Sequence, residues 1–367
     1  MSCASVSACV VARQHAPSVV SPRNSQSSAG GQGPASRPIG PERRAWARAS
    51  NTGVDVSLAS TLPSLKPWAE ARVEKCAGAW EKAAALAPNP PIAVVDLVPD
   101  AFDDDDGSLS GHVENTAVDS PKSKKSKKKG PFETEFGAFI YDKGYRQLFR
   151  ALGYPGADAE ATLALERLNK DDANDDSVLL DVSCGPGIIT TRIAAGLKGY
   201  ETLIASDVST AMTKRAAEQL DTLVATTTVL RQRDPQNVNE LPQFAAVRAD
   251  VTELPFADAS VDAVHSSAGA HCWPDPLKGF GEITRVLKPG GVFVASTVVL
   301  AAPIRDKYVE NGTARDSDEY QDKTWDMNTP FWDAQAVVQM LETAGLKDVE
   351  VIREDKCFVM LAARKQG

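Results

Sequence analysis

The run Asp181-Val182-Ser183-Cys184-Gly185-Pro186-Gly187 leaves an apolar stretch and enters a helical one near Ile188. Gly185 and Gly187 lack a Cβ, so a ligand can approach the main chain there, at the start of a helix whose free N–H groups favour negative charge. Alone, this is only a glycine-rich loop. A dinucleotide fingerprint requires glycine at 183, 185 and 188, and the chain has Ser183, Gly185 and Ile188. Hydride-transfer chemistry thereby loses its best support. Three carboxylates, Asp181, Asp207 and Asp250, each close an apolar run. At those positions Asp207 can accept from both hydroxyls of a ribose, Asp181 can hold the cationic amino group of a methionine moiety, and Asp250 can accept from an adenine amino group. Each could instead be a helix cap or turn former. Their joint order favours the ligand.

The elements that must position them are strands predicted at 178–182, 202–207, 244–250, 261–266 and 291–299, alternating with amphipathic helices. This alternation predicts an α/β fold with a mainly parallel sheet and helices on both faces. Two further runs, 349–353 and 357–363, are separated by so short a link that they can pair only as an antiparallel hairpin. The expectation is a Rossmann-like, seven-stranded sheet with an antiparallel C-terminal strand. In such sheets, ligands bind beyond the carboxyl ends of the strands, where the three aspartates fall.

Composition divides the chain of 367 residues into a core and appendages. Residues 1–50 hold six arginines and one acid, Glu42, amid Ser, Ala and Pro, a transit-peptide composition. The absence of a basic residue before Arg13 favours a plastid over a mitochondrion. Residues 51–130 contain a predicted helix at 67–86, a strand-like run at 92–98 and a charged linker, and no function is assigned to them. The core domain is expected at 131–367. With residues 1–50 basic, the rest is more acidic than the net −9 of the whole chain, which disfavours a nucleic-acid partner. The basic run at 122–129 lacks aromatic residues and reads as solvated linker. The six cysteines form no C-x-x-C pair, so no metal site is expected and the thiols are read as reduced. No apolar stretch is long enough to span a bilayer.

Asp250-Val251-Thr252-Glu253-Leu254-Pro255-Phe256, Val261-Asp262-Ala263-Val264 and Glu282-Ile283-Thr284-Arg285-Val286-Leu287-Lys288-Pro289-Gly290-Gly291 resemble class I S-adenosylmethionine-dependent methyltransferases, in the branch of ubiquinone and menaquinone biosynthesis. The glycine loop and Gly269-Ala270-His271-Cys272-Trp273-Pro274 resemble a plant and algal plastid family associated with thylakoid lipid droplets. Ser183 stands where many class I enzymes have glycine. The four-cysteine ribbon of related rRNA methyltransferases is missing. The resemblance implies S-adenosylmethionine as cofactor, held by Asp181, Ser183, Cys184, Gly185, Gly187, Asp207, Val208, Asp250 and Val251. The resemblance leaves the acceptor open; Arg305, Lys307, Tyr308, Tyr320, Trp325 and Met327 of the insertion at 301–331 suit a small, lipophilic, prenylquinone-like one, with peripheral membrane or lipid-droplet association.

Methyl transfer is an in-line displacement in which positioning does much of the work. If the acceptor needs a base, His271 is the candidate; otherwise it orients the loop or contacts the cofactor. Tyr141, Tyr145 and Arg146 on the helix at 132–152, Trp273, and the insertion at 301–331 are expected to line the acceptor pocket. An rRNA or protein methyltransferase and a non-catalytic cofactor-binding scaffold are the alternatives. A nicotinamide oxidoreductase is the weakest.

Overall fold

The computed structural model describes residues 61–73, 92–98, 149–170, 177–234, 236, 238–303, 306, 331 and 333–367. The expected transit peptide, the basic linker, Tyr141, Tyr145, Arg146 and most of the insertion at 301–331 lie outside these residues.

The apolar runs form β1 (Val94–Asp96), β2 (Val178–Val182), β3 (Thr202–Asp207), β4 (Gln243–Arg248), β5 (Val261–Ser267), β6 (Leu287–Val298), β7 (Leu346–Asp355) and β8 (Phe358–Lys365). They make one sheet in the order β1-β4-β3-β2-β5-β6-β8-β7. The pairs from β1 to β6 are parallel, and β8 runs antiparallel between β6 and β7. The predicted α/β architecture and C-terminal hairpin are thus present. The strand count is eight, not the seven predicted from sequence. The addition is β1, whose register with β4 pairs Val94 with Ala246 and Asp96 with Arg248. Three residues are too few to display a period, so this strand reads only as a short apolar run.

Both faces are covered, as a parallel sheet requires. On one lie α1 (Ala157–Leu168), α2 (Ile188–Gly196) and α3 (Thr210–Arg233), packed through Ala161, Ala164, Ile189, Ile193, Ala216 and Leu220. On the other, α4 (Pro276–Val286) and α5 (Ala334–Thr343) bury Phe280, Ile283, Val337 and Leu341. Leu65, Ala69 and Val73 join this second core, with Val95 and Leu97 of the β1 segment. The described N-terminal segments are therefore structural parts of the domain: Leu65 bridges to Phe256, and Arg72 donates to the Val98 carbonyl.

Helix starts follow local chemistry. Ser209, Asp275 and Asp333 cap α3, α4 and α5 by accepting from Met212, Lys278 and Ala336 N–H groups, and Pro276 opens α4. The Glu282 and Arg285 pair on α4 has a positional purpose. Arg285 donates to the carbonyls of Leu254 and Phe256, and Glu282 accepts from Leu254 N–H at 2.8 Å, so the pair holds the loop after β4 against α4. Burial pushes the Glu282 carboxyl up, but Arg285 and Lys66 override it and hold it below its ordinary range.

Candidate functional site

Strand order reverses direction between β2 and β5, and open α/β sheets hold ligands in the crevice beyond the carboxyl ends of the strands at such a switch point. The turn at 183–187 enters it from β2. Ser183 has φ +54°, Gly185 +55° and Gly187 +83°, so three left-handed residues fold the chain back into α2. Cys184 N–H donates to the Ser206 carbonyl at 3.0 Å and Gly187 N–H to the Cys184 carbonyl at 3.2 Å, which ties the turn to β3 and to itself. The two glycines serve different needs. A Cβ on Gly187 would meet Ala216 Cα at 3.0 Å, whereas a Cβ on Gly185 would meet nothing within 4 Å. Gly187 lets α2 pack on α3, and Gly185 keeps a cradle open.

Asp207 borders that cradle. Its Oδ2 accepts from Gly185 N–H at 3.0 Å and its Oδ1 from Ser209 N–H at 2.9 Å, which aims the carboxylate across the turn. Burial pushes its pKa up to about 6, against the pull of the Ser209 and Gly185 N–H groups. Val208 beside it is 39% exposed, an apolar surface at the rim. Asp250 caps the short helical turn Val251–Glu253, with Oδ1 accepting from Thr252 N–H at 2.7 Å and Thr252 Oγ1 at 2.9 Å. The capping role weighed for it from sequence is thus present, and Val251 is buried.

Asp181 is a buried carboxylate with partners on two neighbouring elements. It is 2% exposed; Oδ1 lies 2.7 Å from His265 Nδ1, and Oδ2 accepts from Thr190 Oγ1 at 2.6 Å. Each oxygen thus has one partner inside the protein, and these bonds fix the carboxylate where β2 runs into the glycine turn. His265 was missed because it sits in the apolar run Val261-Asp262-Ala263-Val264-His265, where a polar residue at a core-facing position was the one signal.

The loop after β5 closes the other side. Trp273 is 5% exposed, donates from Nε1 to Ser183 Oγ at 2.9 Å, and packs edge-on against Phe280. Its indole clamps the glycine turn. Replacing Trp273 with Phe should cost about 1 kcal/mol in urea denaturation, and combination with Ser183→Gly should cost less than the sum of the two single changes. His271 lies with its Nδ1 3.3 Å from Thr297 Oγ1, and burial lowers its pKa to about 4. Burial raises the Cys184 thiol well above its ordinary value and that of Cys272 to about 11, so neither is a ready nucleophile. Glu160 of α1, unremarked in the sequence, is fully buried and accepts from Ser267 Oγ and Ser296 Oγ, both at 2.5 Å, where β5 and β6 end.

These residues fit an S-adenosyl ligand in part. The glycine cradle, the Asp207 carboxylate and the apolar Val208 stand together.

The methyltransferase domain family matches residues 180–295, from β2 into β6. An uncharacterized chloroplastic methyltransferase of Arabidopsis thaliana is 33% identical over 238 residues, 64% of this chain and 59% of its own. A second from the same plant, also described as chloroplastic, is 36% identical over 172 residues, 47% of this chain and 44% of its own. A malonyl-[acyl-carrier protein] O-methyltransferase of Methylovorus is 33% identical over 120 residues, 33% of this chain and 36% of its own. The chain thus spans only about half the length of the two plant relatives. Residues 180–295 are a class I methyltransferase domain, a domain whose cofactor is S-adenosylmethionine.

Proposed function

We propose that the protein is a plastid methyltransferase that transfers the methyl group of S-adenosylmethionine to a small lipophilic acceptor, of which a prenylquinone is the type. The observation that carries the cofactor half is the pairing of Gly185 with Asp207 beside open space at the strand switch point. The plastid half is supported by the two relatives described as chloroplastic and by the arginine-rich, acid-poor residues 1–50. The acceptor class is supported by the composition of the insertion at 301–331, where Tyr308, Tyr320, Trp325 and Met327 accompany Arg305 and Lys307. Peripheral attachment to a lipid surface belongs to the same reading.

When bound, S-adenosylmethionine supplies an electrophilic methyl carbon on a sulfonium, so the protein's task is alignment and exclusion of water. Asp207 accepts from the ribose hydroxyls, Val208 offers its exposed side chain to the adenine, and the Asp250 carboxylate stands at the end of β4 for the base's amino group. Residues at the carboxyl ends of β5 and β6 face the acceptor's side of the crevice. His271 is a weak base in this setting: with its pKa held at about 4 by burial, it is unprotonated at neutral pH but keeps a captured proton poorly. It suits orienting an acceptor hydroxyl.

The test is transfer of labelled methyl from S-adenosylmethionine to prenylquinols by the full chain, with NADH binding measured in parallel. Transfer to a quinol establishes the reading. Binding of S-adenosylhomocysteine without transfer to any small acceptor would favour the scaffold, and preference for NADH would refute the cofactor assignment. In an active assay, His271→Ala should lower kcat by less than about tenfold, and the wild-type kcat profile should show no His271 inflection near pH 6.5. A drop of about a thousandfold would restore His271 as a general base.

A further inference from the structure

We propose that His265 is a positioning residue for the cofactor turn, acting through Asp181. The proposal rests on the methyltransferase reading and concerns a side chain that reading does not use. His265 lies on β5 opposite Asp181 of β2 in the parallel register, and both are buried on the sheet face covered by α1 and α2. Asp181 accepts from two donors. One comes from β5, His265 Nδ1 at 2.7 Å, and one from the first turn of α2, Thr190 Oγ1 at 2.6 Å. The turn at 183–187 lies between Asp181 and Thr190 in sequence, so the carboxylate ties together the two ends from which the turn springs.

The roles of the imidazole nitrogens follow from this geometry. The Asp181 carboxylate accepts, so Nδ1 carries the proton. Among the described residues, Nε2 is buried with no hydrogen-bond partner, and with the proton on Nδ1 it is left as an acceptor only. Without the Nδ1 proton, Asp181 Oδ1 would be an unpaired oxygen in an apolar layer built of Leu179, Ala205, Ala263 and Val294. The carboxylate would then turn, and the Thr190 contact, with the entry to α2, would loosen. The expected consequence falls on cofactor affinity, since the Gly185 to Asp207 bond depends on where the turn stands.

Asparagine places an amide N–H near the position of Nδ1, and glutamine places one near Nε2. The experiment compares the full-length wild type, His265→Asn and His265→Gln by calorimetric titration with S-adenosylhomocysteine, by KM and kcat for S-adenosylmethionine, and by thermal denaturation. His265→Gln should weaken binding and raise KM by about tenfold or more with kcat changed less than about threefold, and His265→Asn should stay within about threefold of wild type. Equal weakening by both variants, or no effect of either, would overturn the proposal. Should a variant fail to fold, nitrogen NMR of the wild-type imidazole decides: a proton on Nδ1 supports the proposal, and a proton on Nε2 refutes it. A wild type that does not bind S-adenosylhomocysteine at all would overturn the methyltransferase reading and this proposal with it.

Discussion

Asp207→Ala is expected to abolish measurable S-adenosylhomocysteine binding while leaving the protein folded. A carboxylate accepting from two ribose hydroxyls makes two charge-assisted bonds, each worth about 1.5–3 kcal/mol, so the loss corresponds to roughly 100-fold or more in Kd. The fold should survive because the substitution has opposing effects. It strips the Gly185 and Ser209 N–H groups of an acceptor, but it also removes a carboxylate that burial holds at a pKa of about 6. A carboxyl whose pKa is raised on folding stabilises the protein in its protonated form, fully below its unfolded value of about 3.8. That contribution is lost as pH rises through about 6, so at neutral pH the charged carboxylate is a burden on the cofactor-free fold. Ligand affinity has the opposite sign: only the ionised form accepts from both hydroxyls, so Kd should rise as pH falls through about 6. Calorimetry in buffers of different ionisation enthalpy, at a pH near 6, should detect proton release on binding. Unchanged Kd in Asp207→Ala would remove the ribose assignment.

The second large effect separates the two glycines of the same turn. Gly187→Ala should destabilise the fold by about 2–4 kcal/mol, combining a left-handed alanine with a Cβ driven against the α3 backbone. A fall of several degrees in Tm, with the surviving folded fraction still binding S-adenosylhomocysteine, is the expected result. Gly185→Ala should cost only about 1–2 kcal/mol of stability, because its Cβ meets nothing in the protein. Its expected defect is in binding, about tenfold or more in Kd, since the methyl group fills the cradle the ligand requires. If both variants lose stability alike and Gly185→Ala binds normally, the open space beside Asp207 does not receive the cofactor.

The parallel sheet was legible in the sequence because β2 to β5 are apolar runs of five to seven residues separated by amphipathic helices. The carboxyl-end positions of Asp207 and Asp250 followed from the same pattern. Which way a side chain at a strand end points did not. Asp181 is one residue before the last of β2, so its side chain faces the α2 layer, and its pairing with His265 depends on β5 lying next to β2. No local pattern reveals that neighbour, since the two are separated by 84 residues. The bond from Trp273 to Ser183 was hidden in the same way, since the two lie 90 residues apart and only the fold joins them. Glu160 was hidden for a related reason, as one acid on a helix that presents acids to solvent elsewhere.

The sheet's edge strand raises a question of timing. On a ribosome, β1 emerges long before β4, the strand it borders: the Arg248 to Asp96 ion pair at 2.9 Å joins residues 152 apart. At about 5–20 residues per second, that gap is roughly 8–30 s in which Val95 and Leu97 have no sheet to join. Until β4 is made, β1 has no strand to pair with. A chain cut at residue 131 would never complete this step and would leave the β4 edge bare, a template for association with other chains. The order of synthesis thus makes β1 the first strand made, yet one that can join the sheet only after β4, the third strand to follow it, has been made.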